Sequence, residues 1–170
     1  MSDMNDDKIK DAPLSDVMPK MTPKQKAEMA ARLMGFGGLF PFVFLALASV
    51  IGLRTPFAPA PALLIGYGAI ILSFVGALHW GAQLAQTDAA KVRASSYIWS
   101  IFPALLAWLA LMLPAMLAAS CLIVGLLVCW GVDMVAINKQ QWPSFMRALR
   151  TILTAIACLS LSVIYLPLFG

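Results

Sequence analysis

The sequence predicts an all-α integral membrane protein, with five transmembrane helices preceded by a disordered tail and a short amphipathic helix. Of its 170 residues, 61% are hydrophobic and 12% are charged, whereas soluble domains average roughly 45–50% and about 25%. The apolar residues fall in long runs, and the charged residues are confined to an N-terminal segment and short loops. A soluble protein of this size could not cover so much apolar surface, so the solvent must be lipid.

The N-terminal region divides into a tail and a helix start. Residues 1–21 are polar, mixed in charge and interrupted by proline, which predicts a disordered cytosolic tail. Residues 22–170 are then the membrane domain. Thr22 is expected to cap the amphipathic helix, with Pro23 in its first position and Gln25 completing a capping box. This helix is expected to run into the first span.

Five uncharged segments follow, separated by charged or proline-rich loops. The stretch from Ala94 to Val132 would measure about 58 Å as one helix, nearly two bilayers, so the chain must turn within it. Pro114 is the best breaker. Pro41 and Pro103 lie inside spans and predict kinks. The predicted spans are residues 33–53, 62–86, 96–113, 115–137 and 151–169.

The basic residues predict the orientation. Eleven of the twelve Lys and Arg residues fall in segments that these spans place on one side of the membrane, and Arg54 alone falls on the other. The positive-inside rule then predicts a cytosolic N-terminus and a C-terminus on the opposite side of the membrane. The net charge of +4 forms no basic face on a folded domain, so nucleic acid is not an expected partner.

Two side chains within the spans can titrate near neutral pH, His79 and Asp133. Both lie about 9–11 Å above the cytosolic end of their helix, counted at 1.5 Å per residue. Two helices running in the same direction would let them pair, which would offset the cost of placing them in lipid. Neighbouring polar and aromatic residues complete the predicted ligand-binding or structural cluster, which comprises His79, Trp80, Gln83, Trp130 and Asp133.

The purpose of this cluster stays open at the level of sequence. The pair is either a structural contact, a site for a solute, lipid or quinone, a proton relay, or, least favoured, a metal or haem site. A haem between helices usually requires two axial histidines, and only one is present. Cys121, Cys129 and Cys158 lack metal-site spacing and are interpreted as small apolar filler. No metal and no cofactor is predicted.

Other side chains in and near the spans are interpreted as helix-packing or lipid-contacting residues. Small residues recur every four positions on the second span and predict a ridge for close helix contact, comprising Ala69, Ser73, Ala77, Gly81 and Ala85. Arg147 and Arg150 are predicted to contact lipid headgroup phosphates. Trp80, Trp99, Trp130 and Trp142 read first as an aromatic belt at the membrane interface.

Several stretches, most specifically "GALHWG" at residues 76–81, resemble a bacterial inner-membrane family. It is the domain of unknown function 3429 group, related to mitochondrial transmembrane protein 69. The resemblance covers roughly residues 33–161 and implies a small five-helix membrane protein without an assigned activity. It also implies the bacterial inner (cytoplasmic) membrane, in which the predicted orientation makes the C-terminus periplasmic. The positions that match its pattern are Tyr67, His79, Trp80, Gly81, Pro103, Trp108, Asp133, Trp142, Arg147 and Arg150.

The function expected from these observations is that of a non-enzymatic accessory or assembly protein of a larger membrane complex, because no complete catalytic set is present. Expected partners are the lipid bilayer and a membrane protein complex or a second copy of the chain. The alternative is a small carrier or ligand-binding membrane protein that uses His79 and Asp133. A membrane enzyme ranks third, since a substrate or cofactor would have to supply the missing groups.

Overall fold

The computed structural model describes residues 22–53, 56–88, 92–139, 142 and 145–166, so the predicted tail at 1–21 lies outside the described residues. Within these ranges the chain forms six α-helices and a final 3-10 turn, and the predicted all-α membrane fold is confirmed. The elements are α1 (Pro23–Gly37), α2 (Leu39–Val50), α3 (Ala60–Leu84), α4 (Ala94–Ala110), α5 (Ala115–Asn138), α6 (Phe145–Ser162) and the turn Val163–Tyr165.

Four apolar helical segments are long enough to cross a membrane: Pro23–Val50, Ala60–Leu84, Ala115–Asn138 and Phe145–Tyr165. The fifth apolar helix, α4, has 17 residues. At 1.5 Å per residue it measures about 25 Å, slightly less than the hydrocarbon core. Together these helices correspond to the five predicted from the sequence.

The chain divides into two compact units at Met34. In the first unit, the capping box predicted at the start of α1 is confirmed. The Thr22 backbone N–H donates to Gln25 Oε1 at 2.8 Å, and the Gln25 backbone N–H donates to Thr22 Oγ1 at 3.3 Å. Both groups would otherwise be unpaired donors at a helix start.

In the second unit, the first predicted span is interrupted at Gly38. Pro41 has no N–H to donate to the carbonyl four residues earlier, and its ring crowds that carbonyl, so the helix breaks one turn before the proline. The Gly38 N–H donates to the Gly35 carbonyl at 3.1 Å. The Gly38 carbonyl in turn accepts a 2.7 Å hydrogen bond from the Tyr67 hydroxyl of α3. A side chain of a neighbouring helix therefore satisfies the backbone carbonyl that is left free at the break.

The observed boundaries of the later helices differ from the predicted ones chiefly at the start of the last helix. The turn predicted at Pro114 is confirmed, since α4 ends at Ala110 and α5 begins at Ala115. The last helix, however, begins at Phe145, six residues before the predicted start of the last span at Thr151. Residues 145–150, which precede the predicted last span, are thus the first part of α6.

The interior of the second unit is built from leucines of three helices. The fully buried side chains include Leu64 and Leu72 of α3, Leu122 and Leu126 of α5, and Leu161 of α6. Glycines allow the close approach: a Cβ added to Gly125 would lie 2.7 Å from Leu72 Cδ2. The core is therefore a layer of leucine side chains that pack directly against glycine backbone.

The predicted small-residue ridge is a buried contact at its first residue, Ala69, but is wrong as the face of close contact toward the end of α3. Ala77, Gly81 and Ala85 are exposed, and a Cβ added to Gly81 would meet nothing within 4 Å. The tight contact lies on an adjoining face of α3, at Gly76, where an added Cβ would be 2.8 Å from the Ser100 carbonyl oxygen and 2.9 Å from Pro103 Cγ. A proline ring and a backbone carbonyl of α4 fill the space that a side chain would need.

Candidate functional site

A charged cluster lies buried between α3, α5 and α6, and Asp133 is its centre. Asp133 is 0% exposed, and each of its carboxylate oxygens has a partner. Oδ1 lies 2.9 Å from His79 Nε2 of α3, and Oδ2 accepts a 2.6 Å hydrogen bond from Arg150 Nε of α6. One carboxylate thus links two other helices.

The pairing of His79 with Asp133 follows from the depths inferred from the sequence. Both residues lie within one to two turns of the C-terminal end of their helix, and the structure brings the two side chains into direct contact. An ionised carboxylate can only accept, so Nε2 of His79 donates to Oδ1.

The predicted headgroup contact of Arg150 is wrong. The early start of α6 places Arg150 inside the helix, where it is 5% exposed and paired with Asp133. It shares one buried stripe of α6 with Thr154, Ala157 and Leu161. Arg147, three residues earlier, is exposed and donates to Asn138 Oδ1 at 2.6 Å, so its headgroup contact stays a prediction.

The guanidinium of Arg150 is only partly satisfied. Its Nη2 atom is buried and has no hydrogen-bond partner. A buried donor without an acceptor is costly, because it has given up its hydrogen bonds to water. The formal charges of Asp133 and Arg150 offset each other, and Nη2 is left as an unused donor.

The aromatic residue on the cluster is Trp142, which the sequence assigned only to the interface belt. Its ring packs on the imidazole of His79, with centroids 4.9 Å apart and planes inclined by 34°. The two tryptophans predicted for the cluster make other contacts. Trp80 packs edge-on against Tyr97, and Trp130 Nε1 donates to Thr151 Oγ1 at 3.0 Å.

Gln83 also lies away from the charged centre. Its Oε1 accepts the backbone N–H of Arg93 at 2.9 Å, one residue before α4 begins. The side chain therefore ties the end of α3 to the start of the next helix. Of the five residues predicted for the cluster, the structure brings only His79 and Asp133 together.

An open groove of about 340 Å³ adjoins Trp142 where α3 ends and α6 begins. Its lining is mostly apolar and includes Leu78, Ala82, Gln86, Trp142, Phe145 and Met146. This volume is at the lower end of the range typical of small-molecule sites, about 300–1,000 Å³.

Across the described parts of the chain, no group of three His, Cys, Asp or Glu side chains is placed to hold a metal ion. The three cysteines are free, and Cys129 is buried one turn before Asp133 on α5.

The fold and the cluster define a helical membrane protein of about five helices with an ionic contact buried in its bundle. The family model described as "Protein of unknown function (DUF3429)" matches residues 27–166, and the chain belongs to this family. The match includes every residue of the charged cluster.

The chain is similar to Transmembrane protein 69 of Xenopus tropicalis, with 38% identity over 141 residues. The aligned region covers 79% of this chain and 53% of that relative, so the chain spans about half the length of the curated relative it matches. No solved structure matches the chain.

Proposed function

We propose that the protein is a non-enzymatic accessory or assembly component of a complex in the bacterial inner membrane. One observation carries the proposal: the buried ionisable groups are engaged with one another. Both Asp133 oxygens and Nε2 of His79 already have protein partners. A general acid or base must instead reach a substrate proton.

The alternative of a ligand held between His79 and Asp133 is less well supported. Such a ligand would have to displace the 2.9 Å contact between them and would leave Arg150 beside a rearranged carboxylate. Displacing a buried hydrogen bond leaves both groups without their partners inside the protein, which is costly. The cluster is better suited to fixing three helices in register.

The surface of α4 supports a protein partner. Its outward side chains are large and apolar, among them Ile98, Phe102, Leu105 and Trp108. A helix slightly shorter than the hydrocarbon core is accommodated by thinning the bilayer or by associating with other helices. We assign the partner contact to this face.

The orientation is part of the proposal. The distribution of Lys and Arg supports a cytosolic N-terminus and a periplasmic C-terminus. Under this assignment the charged cluster lies in the cytosolic third of the membrane. A reporter fused after residue 170 that is active only in the periplasm tests this, and activity of a cytosolic reporter at that position would contradict it.

The proposed role is tested by extracting the tagged full chain in a mild detergent and identifying stoichiometric partners by mass spectrometry. Phe102→Ala on α4 is compared with the control Phe74→Ala on α3, because both phenylalanines are more than half exposed. The wild type and F74A should retain the partner, and F102A should lose most of it.

Recovery of a lone monomer would contradict the proposed role. A partner retained equally by F102A and F74A would support membership of a complex but contradict the assignment to α4.

A further inference from the structure

The turn between α4 and α5 carries an unbroken run of exposed apolar side chains. Residues 111–117, with the sequence LMLPAML, are all exposed and contain no polar side chain. The large side chains among them are 42–62% exposed, namely Leu111, Met112, Leu113, Met116 and Leu117. A connection that enters water is usually polar, because apolar surface is costly to expose to water. An exposed apolar patch of this kind marks a contact with lipid or with another protein.

The backbone at the start of this turn needs no water to satisfy its donors. The N–H groups of Leu111, Met112 and Leu113 donate to carbonyl oxygens of the last turn of α4, over 3.0–3.3 Å. Pro114, which follows them, has no N–H group. In lipid an unpaired backbone group is costly, because no water is present to replace its partner. The turn avoids this cost for four consecutive residues.

The length of α4 limits how far the turn extends. Helix α4 begins beside Arg93, whose exposed, charged side chain must remain at the polar edge of the membrane. Its 17 residues rise about 25 Å and the turn adds at most about 6 Å, whereas the hydrocarbon core is about 30 Å thick. The tip therefore reaches the far edge of the hydrocarbon core without passing into water. At that depth the first N–H groups of α5, for which Pro114 provides no side-chain cap, meet the ester oxygens of the lipid.

We propose that the tip of the α4–α5 hairpin is embedded in the lipid leaflet at the end of the bundle opposite the charged cluster. Its large side chains lie among the acyl chains, and its backbone lies at the level of the glycerol esters. The apolar surface of the turn continues along α5, where Val124 follows Leu117 by two helical turns and is also exposed. This continuity favours lipid as the partner. The proposal goes beyond the role in a complex, which assigns no depth to any turn.

The other connection at this end of the bundle supplies the control. Residues 56–59, between α2 and α3, are not helical, and they follow the charged Arg54 in the sequence. Backbone without helical hydrogen bonds and a nearby charge both require water. Phe57 is 90% exposed in this connection, so a label at that position is expected to lie in water.

The test attaches a nitroxide spin label to single cysteines of the purified full chain in vesicles of phosphatidylethanolamine and phosphatidylglycerol. The three native cysteines, Cys121, Cys129 and Cys158, are first replaced by alanine. Electron paramagnetic resonance then measures how often each label collides with two relaxing agents. Oxygen concentrates among the acyl chains, and a polar nickel chelate, present on both sides of the vesicles, stays in water.

Three labelled variants are compared: Met112→Cys at the tip, Phe57→Cys as the aqueous control, and Ile70→Cys as the lipid reference. Ile70 is 65% exposed near the middle of α3. Labels at M112C and I70C should collide often with oxygen. Their collisions with the chelate should be about ten-fold less frequent than those of F57C, because a polar complex is excluded from the acyl chains. Circular dichroism checks that each variant is folded, and Met116→Cys replaces M112C if that variant is misfolded.

Frequent collision of the tip label with the nickel chelate would overturn the proposal, because the turn would then lie in water. Infrequent collision with both agents would also overturn it, since a protein surface, such as a second copy of the chain, would then cover the tip. Both outcomes are measured on the purified chain with the chelate on both sides. They are therefore independent of the orientation in the membrane and of whether a partner co-purifies.

Discussion

The end of the bundle at which α3 finishes is held together by charge, whereas its interior is held together by leucine. At the charged end, Asp133 joins His79 and Arg150. Eleven residues earlier on the same helix α5, Leu122 is fully buried against Gly68 and Leu161. The two regions are about 16 Å apart along the helix.

The two regions stabilise the bundle in different ways because the solvent is lipid. Lipid solvates a leucine as well as another leucine does, so the apolar interior gains stability from filled space rather than from leaving the solvent. At the charged end, removing one partner would strongly destabilise the bundle, since lipid cannot solvate the ion that is left alone. A substitution in the leucine layer is therefore expected to lower the free energy of unfolding in proportion to the space that it leaves empty. Removal of one partner from the charged cluster is expected to lower it by a larger amount.

The largest expected effect is at the charged end. Asp133→Ala leaves the Arg150 guanidinium buried without its counterion, and the free energy of unfolding should fall by roughly 3–5 kcal/mol. The double variant Asp133→Leu with Arg150→Leu removes both charges and should recover most of the loss. Denaturant titration in detergent micelles, followed by circular dichroism, measures both. If the double variant were as unstable as the single one, the cluster would not act as a charge pair.

An intermediate effect is expected in the leucine layer. Leu122→Ala should cost roughly 1–3 kcal/mol, since only the cavity term remains when lipid replaces water as the reference solvent. Leu127→Ala on the same helix is the control, because that side chain is 48% exposed. The same titration should show a change near zero for the control. Equal losses at both positions would contradict the distinction between core and lipid-facing leucines.

The smallest effect concerns the close contact between α3 and α4. Gly76→Ala forces a methyl group against the Ser100 carbonyl and Pro103. It should destabilise by about 1–2 kcal/mol after its gain in helix propensity is subtracted. Gly66→Ala, on the same helix, meets nothing within 4 Å and should stabilise by up to about 1 kcal/mol. Melting temperatures that shift in opposite directions would sharpen the comparison, whereas a gain at Gly76 would contradict the tight contact.

The helices and the pairing of His79 with Asp133 could be predicted from the sequence. Helix rise is constant, so counting residues to the nearest charged loop places the two residues at the same depth. The uncharged runs and Pro114 likewise locate the helices and the turn between α4 and α5. These features depend on local chemistry and on the thickness of the membrane.

The parts that sequence reasoning missed depend on tertiary contacts. Arg150 lies before the predicted start of the last span and is predicted to contact lipid headgroups, although it shares a stripe with Thr154 and Ala157. That stripe, together with the need of Asp133 for a countercharge, was the available signal. For Trp142, which lies outside any helix, no periodic pattern indicated a contact with His79.

The failure of the small-residue ridge has a similar cause. A spacing of four identifies a line of small residues along α3, but it does not say which line faces another helix. The partner decides this, since Pro103 and Ser100 of α4 require a glycine opposite, and that glycine is Gly76.

The bond between Asp133 and Arg150 has a consequence for the order in which the protein is made. Asp133 enters the membrane with α5, and its counterion arrives only with the following helix. An Asp or Arg inside an inserting helix is costly in lipid. When α5 inserts, Asp133 can already contact His79 of α3, whereas Arg150 is supplied only by α6. The charged cluster is therefore complete only after the last helix has inserted.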